Sequence, residues 1–83
     1  MTNFLKTYYG WRIVDINRRV NDLVNNTNTN SKYKAELERI YEEGSSDYIS
    51  LIKKLEKLIL RDSLEIISLE ERRQKLELRL AIS

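Results

Sequence analysis

The side chains from which most active sites are assembled are missing here, because the chain holds no histidine and no cysteine. That removes the commonest general base, the commonest metal ligand, thiol nucleophiles, thiolate metal sites and disulfides together. Carboxylates, hydroxyls, lysines and arginines remain, and three groupings of them have suggestive spacings. Glu42, Glu43 and Asp47 are close enough to converge on a cation. They match neither a calcium-binding loop nor an HExxH helix, so solvated charges describe them better. Lys53, Lys54, Lys57 and Arg61 form a basic strip that, with Arg72, Arg73, Lys75 and Arg79, offers contacts to phosphates. Glu56, Glu65, Glu70, Glu71 and Glu77 interleave it and favour ion pairs within and between helices instead. The third grouping, Asp62 with Arg73, is a charged pair inside an otherwise aliphatic stripe. None of the three is a catalytic constellation, and the expectation is a non-enzyme without cofactor or metal.

The elements that carry these residues are helices. There is no proline, there are only two glycines, and Leu, Ile, Glu, Lys and Arg are abundant, a composition that favours helix and leaves few turn signals. From Ile52, alternating steps of three and four residues reach Leu55, Ile59, Asp62, Ile66, Leu69, Arg73, Leu76 and Leu80, the seam of a packed or coiled-coil helix spanning about 48–81. Ser68-Leu69-Glu70-Glu71 has the form of a capping box, which leaves either a continuous helix or one bent or broken between Ser63 and Ser68, with a slight preference for the break.

Upstream, Thr2 or Asn3 can cap a first helix over about 3–24, with Leu5, Tyr9, Ile13, Ile16, Val20 and Leu23 as its core stripe. Phe4, Tyr8 and Trp11 lie on an adjoining ridge, so the first turns are apolar around most of their circumference. Either other helices wrap this end, or the aromatic ridge docks another chain. Gly10 costs helix stability, tolerable where a small residue admits another backbone. Residues 25–31, Asn-Asn-Thr-Asn-Thr-Asn-Ser, compete for backbone hydrogen bonds and read as a flexible loop. A short second helix follows over about 32–43, and Gly44 marks a tight joint at 44–47.

Charge separates the function classes. The net charge is +2, from 15 basic and 13 acidic residues, and the excess sits on the first helix with Lys6, Arg12, Arg18 and Arg19 against Asp15 and Asp22. Nucleic acid is therefore a possible partner but not the favoured one. No apolar run suits a membrane span and no signal peptide is visible, so the expected location is the cytoplasm of a host cell, with no membrane partner. A single domain of 83 residues makes only a small core, which makes a homodimer an expectation from size alone. If two copies pack antiparallel along the seam, Asp62 of each meets Arg73 of the other, and Leu55, Ile59, Ile66, Leu69, Leu76 and Leu80 complete the interface.

A helix opening with Phe4-Leu5-Lys6-Thr7-Tyr8, a polar loop, a second helical stretch and a Leu/Ile-rich helix running into Ser68-Leu69-Glu70-Glu71-Arg72-Arg73-Gln74-Lys75-Leu76-Glu77-Leu78-Arg79 resemble the N-terminal helical part of phage ArpU/RinA-type late-gene transcriptional regulators. Those proteins continue into a sigma-like helix-turn-helix whose DNA-reading residues have no counterpart here. The resemblance implies a phage or mobile-element origin and a role in protein contact without direct promoter recognition. The expected fold is all-α, a small dimeric bundle of three to four helices with a long amphipathic C-terminal helix. The expected function is a regulator or inhibitor that binds a protein, such as host defence or transcription machinery, through Phe4, Tyr8, Trp11, Arg12, Arg18 and Arg19. The alternative is a dimeric helical protein that recognises duplex shape through phosphates.

Overall fold

The computed structural model describes residues 2–40 and 46–82. They form two helices, α1 (Thr2–Ile40) and α2 (Ser46–Ile82). These pack side by side into a rod 64 Å long and 14 Å across. The antiparallel direction follows from the contacts between them. Asn17 meets Arg73, Arg19 meets Glu65 and Lys34 meets Glu56, so positions advance along one helix as they recede along the other. The all-α class is therefore observed, as two long helices in place of the expected three to four. Among the described residues no helix is long and apolar enough to cross a membrane.

The largest departure from the sequence reading is at residues 25–31, where the expected loop is helix and joins the expected first and second helices into one. Asparagine, threonine and serine are poor helix formers, but each costs only about 0.5 kcal/mol relative to alanine, and no glycine or proline interrupts the run. Extending a helix that is already nucleated costs little. The deciding factor is phase. Beyond Leu23 the three-four steps continue through Thr27, Asn30, Lys34 and Leu37, and all four are at least partly buried. A loop would have to abandon that alignment. The expected joint at 44–47 and the end of the short second helix fall mostly outside the described residues.

α2 is continuous, so the expected break between Ser63 and Ser68 is absent. A capping box works only where backbone N–H groups lack partners from a preceding turn. Ile66 and Leu69 extend the seam without a phase change, so no such start exists. Asp47 in the first turn of α2 and Arg39 and Arg79 in the last turns of α1 and α2 have the signs that the helix dipoles favour.

The core lies along the line where the two seams meet. Ile16, Leu23, Leu37 and Leu55 are its buried apolar side chains, and each contributes about 1.5–3 kcal/mol on leaving water. Aligning the two seams on the cross-hairpin contacts gives a register. In it Leu23 is level with Ile66, Thr27 with Asp62, Lys34 with Leu55, and Leu37 with Ile52. The seam expected to join two copies is thus occupied by α1 of the same chain.

Candidate docking surface at one end of the hairpin

The expected interface residues fall into two groups in space. Leu55, Ile59, Asp62, Ile66, Leu69, Arg73, Leu76 and Leu80 are buried or half-buried along the face of α2 turned to α1. Within that line Asp62 is only 4% exposed, and its Oδ1 accepts hydrogen bonds at 3.3 Å from Nε and Nη2 of the neighbouring Arg61. Arg73 does not reach Asp62. It swings to the flank, donates to Asn17 Oδ1 at 2.7 Å and lies 3.9 Å from Glu77. Both charges of the proposed interchain pair therefore have partners within their own chain.

The second group stands at the end of the rod formed by the start of α1 and the close of α2. Phe4 is 72% and Trp11 67% exposed, so among the described residues no helix wraps the aromatic ridge. Phe4 and Trp11 are seven residues apart, which puts them on one line of α1 facing away from α2. Tyr8 is held between them by Arg12. Its hydroxyl accepts a hydrogen bond from Arg12 Nη1 at 2.9 Å, and the guanidinium carbon lies 5.8 Å from the ring centroid, a cation–π distance. The Tyr9 ring packs against Tyr8 at 5.8 Å and half-enters the seam. Leu78 and Ile82 on α2 are exposed at the same end.

The expected cations do not act as one set. Arg19 is committed to Glu65 across the hairpin, at 3.2 Å, and Arg18 is exposed without an ion pair among the described residues. Arg12 instead shares a cleft of about 150 Å³ with Arg72, Lys75, Leu76 and Arg79. The basic strip at the other end is divided, since Arg61 goes to Asp62 while Lys53 and Lys57 border a shallow hollow with Glu56 and Leu60. Of the three carboxylates considered for a cation, Glu42 and Glu43 lie outside the described residues and Asp47 is exposed. Among the described residues no group of His, Cys, Asp or Glu could hold a metal ion.

Sequence reading missed the seam role of Thr27, Asn30 and Lys34. Thr27 Oγ1 is buried without a hydrogen-bond partner. Lys34 Nζ lies 3.3 Å from Glu38 and 3.4 Å from Glu56. Its hydrogen bond to Glu38, reinforced by Glu56, raises its pKa above the ordinary lysine value. The signal was the spacing of residues 23, 27, 30, 34 and 37, obscured by the polarity of its middle three members. Comparison of the chain with protein-family models, curated proteins and solved structures finds no match.

Proposed function

We propose that this chain is a non-catalytic helical interaction protein that regulates or inhibits a protein partner by docking it at the end of the hairpin built from residues 4–12 and 72–82. The observation that supports this is the aromatic ridge, with two large side chains about two-thirds or more in solvent on a helix whose other face already has its core. Exposed Trp, Tyr and Phe are common anchors of protein interfaces, and Arg is enriched there with them. The resemblance to phage late-gene regulators fits a partner in host transcription or defence machinery. The test is capture of a partner from lysate of the source cells by immobilised wild type, Trp11→Ala and Phe4→Ala. The expected result is loss of that partner in the variants with helicity unchanged, and equal capture by all three proteins would reject the reading.

A homodimer belongs to the same proposal, on a different face from the seam. Leu60, Leu64 and Ile67 are exposed and follow one another at helical spacing on the outer side of α2. A chain with so few buried apolar side chains gains most from covering such a patch with a second copy. Sedimentation equilibrium of wild type and Leu64→Glu checks this, with a dimer expected only for the former.

A further inference from the structure

The cleft beside the aromatic ridge has a composition that the packing of the hairpin does not explain. Its lining brings together four cations, Arg12 from α1 and Arg72, Lys75 and Arg79 from α2, around Leu76, with no carboxylate. Elsewhere in the hairpin five cations find acids, with Arg19 on Glu65, Lys34 on Glu38 and Glu56, Arg39 on Glu36, Arg61 on Asp62 and Arg73 on Glu77, while Lys6, Arg18, Lys32, Lys53, Lys54 and Lys57 are exposed without an ion pair among the described residues. Arg72, Lys75 and Arg79 have no ion pair among the described residues, and the hydroxyl that Arg12 holds is neutral. Even Glu71, one turn before Lys75 and so well placed for an intrahelical pair, does not take it. Like charges gathered in one concavity raise each other's potential and concentrate anions there.

We propose that this cleft receives the carboxylates of an acidic segment on the protein partner, while the apolar residues of that segment cover Phe4, Trp11, Leu78 and Ile82. The proposal rests on the docking reading above and names the chemistry of the partner. The arginines can take a carboxylate through two parallel N–H donors, a geometry that lysine alone does not offer. The open cleft, at about 150 Å³, has room for one or two such groups. Duplex nucleic acid fits less well, because affinity for it grows with the number of phosphates neutralised along the groove. Here the cations that share a cleft without a carboxylate form one cluster at one end of the rod, and the anchors beside it are apolar. Lys53 and Lys57 lie toward the opposite end of the rod, about six turns of α2 away at roughly 3.6 residues per turn.

The test follows the arginine side-chain N–H signals by NMR while hexaglutamate, or separately a short DNA duplex, is added at low and at physiological salt. Hexaglutamate is expected to give saturable shifts confined to Arg12, Arg72 and Arg79, weaker at the higher salt. Arg72→Glu/Arg79→Glu, and the milder Arg72→Gln/Arg79→Gln in case the reversal perturbs folding, are expected to weaken binding about tenfold or more while melting stays unchanged. Trp11→Ala is expected to bind hexaglutamate like wild type although it loses the captured partner. This separates failure of the cleft from failure of the docking surface. Absence of saturable shifts at the three arginines, binding that survives both double variants, or tighter binding of the duplex than of hexaglutamate would each overturn the proposal.

Discussion

The seam of this hairpin has two halves of different character. From Tyr9 to Leu23, α1 lays aromatic and aliphatic side chains against Ile66, Leu69, Leu76 and Leu80, and the one charge opposite, Arg73, escapes to Asn17 and Glu77. From Thr27 to Lys34 the same line of α1 offers a hydroxyl, an amide and an ammonium to Leu55, Ile59 and Asp62. Both halves are helical and in the same register. Phase therefore carries α1 through a run that side-chain chemistry assigns to a loop, and helical phase and core stabilisation are separable properties here. The first half stabilises the rod from both helices, whereas in the second the α1 residues Thr27, Asn30 and Lys34 add little and the buried apolar side chains are Leu55 across from them and Leu37 just beyond.

Leu23 and Thr27, one turn apart at the boundary, give the comparison its strongest test. Leu23 is 2% exposed, the most deeply buried large side chain among the described residues. Leu23→Ala is expected to lower the unfolding free energy by about 2–5 kcal/mol, read from urea denaturation followed by circular dichroism. A loss below about 1 kcal/mol would place the stabilising core elsewhere. Asp62 gives the next largest effect, with the opposite sign. A buried carboxylate whose one cation, Arg61, is mostly in solvent keeps much of its desolvation cost. Asp62→Leu is expected to stabilise by about 1–4 kcal/mol in the same assay. Destabilisation would show that Asp62 is held by more than Arg61.

How much of this was legible in the sequence depended on whether spacing and residue type agreed. The seam of α2 from Ile52 to Leu80, and the stripe of α1 from Tyr9 to Leu23, were readable because aliphatic residues occupied the positions that the period demanded. Residues 25–31 are helix where residue type points to a loop, because type and spacing disagree there and spacing prevails. The partner of the seam was not legible, since a three-four repeat fits a second copy as well as a neighbouring helix. Only the length of α1 shows that the chain can cover its own seam. At the candidate docking end the aromatic ridge could be read from Phe4, Tyr8 and Trp11. The cationic cleft could not, because Arg12 and Arg72 to Arg79 become neighbours only once the hairpin closes.

Thr27 tests the polar half from within. Its buried hydroxyl lacks a hydrogen bond, and valine keeps the branched shape without the polar atom. Thr27→Val is expected to raise stability by about 1 kcal/mol. Because Thr27 and Asp62 share a layer in the deduced register, Thr27→Val and Asp62→Leu should not be additive. A double-mutant cycle is expected to give a coupling of about 0.5 kcal/mol or more. Strict additivity would mean that the two residues lie on different layers, and the register would have to be redrawn.

The smallest expected effect concerns the apolar half and Gly10. A glycine in the middle of a helix suggests a close approach by another backbone, and a side chain there would then be harmful. The structure gives no such reason, because a Cβ built on Gly10 meets nothing within 4 Å. Position 10 adds only conformational freedom to the unfolded chain, so Gly10→Ala is expected to raise stability by about 0.5–1 kcal/mol and to melt at a higher temperature. If the glycine serves the neighbouring docking surface, the same variant becomes more stable and yet captures less partner, because the methyl group meets a chain that is absent from the isolated hairpin. A gain in stability with capture intact assigns the glycine to neither packing nor docking. A loss of stability would contradict the open space around it, and with it the exposure of the ridge that Trp11 and Phe4 define.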